Sequence, residues 1–190
     1  MKNKKLVLLG LLFVLLIVLI VIFFTRGREG KQPAPSLLPE EETLPSKPGM
    51  TRTVILFFPS EVDAFLHPEE REIRKDVSVD EQAKQVIREL IRGSQDGYIS
   101  PFPEGTQLRE LFITQEGVAC VDFSRDIQEK HLSGSSAEIA TIYSLVNSLT
   151  QNFQSIKRVF ILVDGRERQT LGGHIDLSRP FLPDKNLISR

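Results

Sequence analysis

The stretch Ser135-Ser136-Ala137-Glu138-Ile139-Ala140-Thr141-Ile142-Tyr143-Ser144-Leu145-Val146-Asn147-Ser148-Leu149-Thr150-Gln151-Asn152-Phe153 carries the deciding pattern of the chain. Ala137, Ile139, Ala140, Ile142, Tyr143, Val146, Leu149 and Phe153 recur at helical spacing. Ser135 and Glu138 open it as a capping box, in which hydroxyl and carboxylate each satisfy an orphan backbone donor. After this helix, Val159 to Val163 reads as a strand, Asp164-Gly165 as a hairpin turn and Arg168 to Leu171 as an antiparallel return. Gly172-Gly173 breaks the pattern, and the residues from Arg179 onward, with Pro180 and Pro183, read as an irregular tail wrapping the body.

Upstream, Val54-Ile55-Leu56-Phe57-Phe58 is a short apolar run stopped by Pro59, the mark of a buried strand. Ser60 to Val77 is charged and irregular, with room for a short strand around Phe65 or Ile73. Ser78-Val79-Asp80-Glu81 is another capping box, after which Val79, Ala83, Val86, Ile87, Leu90 and Ile91 recur at helical spacing, with Gly93 as the stop. Its opposite face carries Lys84, Arg88 and Glu89, so this helix lies on a sheet. Leu108 to Ile113 and Val118 to Phe123 form a hairpin around Gln115-Glu116-Gly117, with Cys120 as a small hydrophobe of the second strand. The order β-α-β-β-α-β-β, without a repeated strand-helix-strand crossover, predicts an α+β domain with two helices packed on a mainly antiparallel sheet.

Leu6 to Phe24 is nineteen residues of Leu, Val, Ile and Phe with a single Gly. As a helix rising about 1.5 Å per residue it spans a hydrocarbon core of roughly 30 Å. It ends in Phe23-Phe24-Thr25-Arg26, without the small residues of a cleavage site, and no Cys follows it as in a lipoprotein. Residues 1–5 are therefore expected as a cytoplasmic tail, 6–24 as a transmembrane signal anchor, 25–50 as a Pro/Glu-rich linker and 51–190 as the globular domain. The expected location is the cytoplasmic membrane, single-pass, with the domain outside the cytoplasm; basic residues on both flanks give only a small charge bias for this topology. A Pro-rich linker at about 3.1 Å per residue reaches roughly 75 Å from the bilayer.

The chain has 190 residues and a net charge of −1, which offers no electrostatic case for nucleic acid. One Cys excludes an intramolecular disulfide. Nucleotide-binding, zinc-protease and serine-nucleophile signatures are missing, so no catalytic residue, cofactor or metal is expected. The three histidines, His67, His131 and His174, stand far apart, and only folding could assemble them into a metal site. Ser133-Gly134-Ser135-Ser136 reads as helix capping or, through its amides, as an anion site. In Gly172-Gly173-His174-Ile175-Asp176 an extended backbone puts His174 and Asp176 on one side, where the carboxylate could orient the imidazole for acid–base work or simply satisfy it.

Several of these strings occur together in one order: Phe57-Phe58-Pro59, Pro103-Glu104-Gly105-Thr106, Val121-Asp122-Phe123-Ser124, the 133–136 segment, Ile142 to Thr150, Val163-Asp164-Gly165, and Gly172 to Ser178. In this the chain resembles the GerMN domain of the GerM sporulation and spore germination family, over essentially all of 51–190. The resemblance implies a non-catalytic, envelope-exposed domain shaped like ring-building motifs, whose relatives in spore formers help assemble a complex across the envelope between mother cell and forespore. This chain has one copy instead of a tandem pair, and a helix anchor instead of a lipoprotein Cys. The family also occurs in bacteria that make no spores, so what carries over is an envelope assembly or wall-associated role. The expected partners are the membrane, envelope proteins or a second copy, and peptidoglycan. The surface expected to meet them comprises Ser133, Gly134, Ser135, Ser136, Gly172, Gly173, His174 and Asp176. The competing expectation is a cell-wall hydrolase or peptidoglycan-binding domain working through His174 and Asp176.

Overall fold

The computed structural model describes residues 50–189. The expected tail and anchor, and the linker up to residue 49, lie outside the described residues. Among the described residues no helix is long and apolar enough to cross a membrane.

The elements are β1 (Thr51–Pro59), β2 (Leu66–Arg74), α1 (Val79–Arg92), β3 (Leu108–Ile113), β4 (Val118–Phe123), the single-turn α2 (Asp126–Glu129), α3 (Ser135–Asn152), β5 (Arg158–Val163) and a 3-10 turn (Lys185–Leu187). The α+β class stands, with corrections to the sheet. There are two sheets, β1-β2 and β3-β4-β5. β4 and β5 run parallel, because α2 and α3 together form the crossover that a parallel pair requires. The return strand at Arg168 to Leu171 does not form. Asp164 and Gly165 do turn, with φ of 53° and 70°, but the pairing beyond them is one bridge from Val163 to Arg166.

β2 is a full nine-residue strand where only a short one was expected. Its alternation is intact, but the inward positions before Ile73 are Glu69 and Arg71, both almost fully buried. They form an ion pair with each other. Arg71 also donates to Gly93 O at 3.1 Å, and Glu69 accepts from the Ser94 hydroxyl at 2.5 Å and Gln95 N–H at 3.0 Å. Charges this deep persist only when fully partnered, and here they tie β2 to the end of α1.

Both helices face one core. α1 packs on β1, β2 and β3, and α3 on β1 and β5. Ala83, Val86, Ile87 and Leu90 of α1 meet Ile142, Leu145, Val146 and Leu149 of α3 and strand residues such as Phe58, Val121 and Ile161, all at 1% exposure or less. Each larger side chain so buried contributes about 1.5–3 kcal/mol. Ser78 caps α1 as expected, its hydroxyl accepting from Glu81 N–H at 3.2 Å, while the Glu81 carboxylate pairs with Arg88.

α3 also closes the free edge of β1. Ser148 Oγ accepts from Phe57 N–H at 3.0 Å, Asn152 Oδ1 accepts from Ile55 N–H at 3.0 Å, and Asn152 Nδ2 donates back to Ile55 O at 2.6 Å. Four helix residues rise about 6 Å and two strand residues about 6.7 Å, so the two ladders keep step. One further step sets Ser144 opposite Pro59, which has no N–H, and Ser144 Oγ is a buried hydroxyl without a partner among the described residues. An edge covered in this way cannot recruit a foreign strand.

The tail does wrap the body. Phe181 pairs with Val159 on the outer edge of β5, Asp184 exchanges backbone bonds with the Asn147 side chain at 2.9 and 3.0 Å, and Ser189 N–H reaches Leu66 O at 3.0 Å.

Candidate functional site

Two loops nominated by the sequence meet at the start of α3, and the residue that joins them is Glu138. The capping box predicted there is not made. Gly134 is the N-cap with φ of 121°, Ser135 is already helical, and no side chain caps the end. Glu138 instead turns inward, to 0% exposure, and is enclosed by the 172–175 loop. One of its oxygens accepts from His174 N–H at 2.8 Å and from His174 Nδ1 at 2.9 Å, and the other accepts from Ile175 N–H at 3.2 Å. Because a carboxylate only accepts, Nδ1 carries the proton.

Burial alone would push the Glu138 carboxyl up. The amides of Ile175 and Gly172, with the ring and amide of His174, outweigh it and hold the group below the ordinary carboxylate range. Both glycines are then explained. A Cβ on Gly172 would stand 3.2 Å from Glu138 Oε1, and Gly173 has φ of 103°, where a side chain is strained.

The His174–Asp176 pair does not form. Asp176 bonds Ser178 through N–H and hydroxyl, both at 2.9 Å, as a local turn. His174 is satisfied by Glu138, four residues into α3, a carboxylate that sequence proximity could not nominate. The histidines are held separately: His67 by Asp63 at 3.0 Å, His131 by Thr141 at 2.9 Å, and His174 by Glu138. Among the described residues no group of three or more His, Cys, Asp or Glu side chains could hold a metal ion. Cys120 is half-buried, and burial pushes its thiol up, away from thiolate chemistry.

Ser133, Ser135 and Ser136 are exposed at the helix start. Ser136 and His131 also face a second feature, on the other side of the first turns of α3, which the sequence did not reveal. It is a cleft of about 450 Å³ between the 59–66 segment, the 99–103 loop and α3, with mostly apolar walls including Pro59, Phe65, Phe102, Leu132 and Ala140. The Thr141 hydroxyl pins the loop by donating to Pro101 O at 2.6 Å. The one readable signal was the Pro101-Phe102-Pro103 string, which fixes a rigid apolar turn.

The fold agrees with comparison to known proteins. A family model described as Germane, sporulation and spore germination, matches residues 55–169. The chain belongs to the Germane family. The match runs from β1 through β5, taking in α3 and Glu138, and stops short of the 172–175 loop. A solved candidate lipoprotein from Clostridium perfringens is 26% identical, covering 74% of this chain and 93% of its own, with a TM-score of 0.50. The tandem GerMN domains of the sporulation protein GerM from Bacillus subtilis share the fold, at 22% identity and a TM-score of 0.58, covering 70% of this chain and 46% of that one. No curated protein matches the chain. The Germane description names sporulation and germination and specifies no reaction.

Proposed function

We propose that this Germane domain is a non-catalytic interaction module of the cell envelope, held at the cytoplasmic membrane by residues 6–24 and presented outside the cytoplasm on the 25–50 linker. One observation carries the reading. Asp176 is spent on a local turn and His174 holds Glu138 through Nδ1, with no nucleophile bonded to its other ring nitrogen among the described residues, while an apolar cleft beside them stays open. A hydrolase needs a base free to take a proton and a nucleophile within its reach; His174 Nε2 keeps its lone pair, but among the described residues no hydroxyl or thiol is hydrogen-bonded to it, and Asp176 is engaged in holding a loop. Support for the envelope comes from the apolar block with its Pro-rich follow-on, and from likeness to a candidate lipoprotein and to a sporulation protein.

The test is crosslinking of the full chain in intact cells followed by mass spectrometry, with protease added to spheroplasts to locate the domain. The expected result is an envelope-protein adduct and a domain cleaved by external protease. A protease-protected domain with no adduct, or purified protein turning over peptidoglycan, overturns the proposal.

A further inference from the structure

The chain holds two Asp-Gly dipeptides, Asp96-Gly97 in the loop after α1 and Asp164-Gly165 in the turn after β5. A glycine has no Cβ to shield its backbone nitrogen from the side chain before it. That nitrogen can attack Cγ of the aspartic acid. A C–N bond forms, the bond from Cγ to the hydroxyl breaks, and the hydroxyl leaves as water with the amide proton. The cyclic imide then takes up water at the main-chain carbonyl, whose bond to the glycine nitrogen breaks. The backbone now runs through Cβ and Cγ as isoaspartate, one methylene longer and unchanged in mass. The reaction needs a carboxyl group free to turn onto the amide and an amide free of other bonds.

At Asp164-Gly165 both groups are tied. Arg109 Nη1 donates to Asp164 Oδ1 at 2.6 Å and Arg125 Nε donates to Oδ2 at 3.0 Å. Gly165 N–H donates to Asp122 Oδ1 at 2.8 Å, and Asp122 is itself held by Arg109 at 3.1 Å. Burial works to raise the Asp164 carboxyl, but the hydrogen bonds and charges of Arg109 and Arg125 outweigh it and hold the group below the ordinary carboxylate range. The anion so favoured has no hydroxyl to lose.

At Asp96-Gly97 both groups are loose. The two residues are exposed. Among the described residues the Asp96 carboxylate makes no hydrogen bond or ion pair, and Gly97 N–H has no acceptor. A Cβ on Gly97 would meet nothing within 4 Å, so the ring has room to close. The flanking amides hold the turn in place: Asp96 N–H donates to Ser94 Oγ at 3.1 Å and Tyr98 N–H to the same oxygen at 3.0 Å.

We infer that Asp96-Gly97 is a site of spontaneous modification, at which the folded domain converts to isoaspartate, and that the Arg109–Asp164–Arg125 clamp shields the second dipeptide from the same reaction. Water is the one co-reactant. The inference holds whether or not the domain binds a partner.

The test incubates the full chain in phosphatidylcholine nanodiscs, warm and at neutral pH, and samples it over weeks. Isoaspartate is located in peptide digests by electron-transfer fragmentation and counted by methyl transfer with an isoaspartyl methyltransferase. Residue 96 is expected to convert at least about tenfold faster than residue 164. In urea the two rates are expected to converge, because the clamp is lost with the fold. Arg109→Gln with Arg125→Gln is expected to raise conversion at residue 164 and leave residue 96 unchanged, with melting followed in parallel. If that variant melts lower, Arg125→Gln alone replaces it, at a side chain 66% exposed. An Asp96 that stays intact in the folded chain while converting in urea overturns the inference. So do equal rates at the two dipeptides in the folded chain, or conversion at residue 164 indifferent to loss of the arginines.

Discussion

On one side of the first turns of α3 the Glu138 carboxylate is closed in by amides and an imidazole; on the other, Ala137, Ala140 and Leu132 leave an apolar cleft open to solvent. The polar side draws Glu138 from Ser-Ser-Ala-Glu, and His174 and Ile175 from Gly-Gly-His-Ile-Asp, and uses them to fasten a loop to a helix. The apolar side contains no motif, and it is the side still able to meet something. Unusual residues thus mark where the backbone needed special chemistry, which is a separate matter from where a partner binds.

The most forceful way to break this contrast is to remove the enclosed charge. Glu138→Gln puts an amide donor against backbone donors in a buried site, and is expected to destabilise the domain by about 2–3 kcal/mol, read as a shifted denaturation midpoint. A change under about 0.5 kcal/mol would mean the clasp is ornamental. Next comes the edge of β1. Ser148→Ala strands the Phe57 N–H and is expected to cost about 1–2 kcal/mol, while Ser144→Ala, whose hydroxyl faces Pro59, is expected to be neutral within about 0.5 kcal/mol or slightly stabilising. Equal losses at the two serines would refute the register drawn from Pro59.

Acid sharpens the same contrast. Because the folded Glu138 carboxyl lies below its unfolded value of about 4.3, the stability it contributes is present above that value and is lost as pH falls through the folded one. The stability gap between the native chain and Glu138→Gln should therefore be constant near neutrality and narrow below about pH 4; a gap independent of pH contradicts the assignment. The smallest expected effect is at the cleft mouth. Leu132→Asp, at 74% exposure, should leave the midpoint within about 0.5 kcal/mol while altering binding.

Much of the architecture was readable because its physics is periodic. The apolar recurrence of α1 and α3 and the runs of β1, β4 and β5 gave element types and order. The full length of β2 escaped because its inward positions hold Glu69 and Arg71 while Glu70 and Glu72 point outward, so charge on both faces hides the alternation. The parallel pairing of β4 and β5 escaped because a list of elements does not say which side of a sheet the chain returns to. Glu138 was read as a cap because three-residue spacing after a serine fits both roles, and only the Gly172–Gly173 loop, more than thirty residues on, selects between them. The cleft was not legible because its walls come from segments distant along the chain, 59–66, 99–103, 131–141 and Leu187, that only the fold brings together.

The most direct test of the division between clasp and cleft is the yield of envelope crosslinks in intact cells from the native chain, His174→Ala and Leu132→Asp, at matched protein levels. The account predicts adducts from the first two and a loss of about tenfold or more with Leu132→Asp. Adducts that vanish with His174→Ala in a folded protein, and persist with Leu132→Asp, would contradict it.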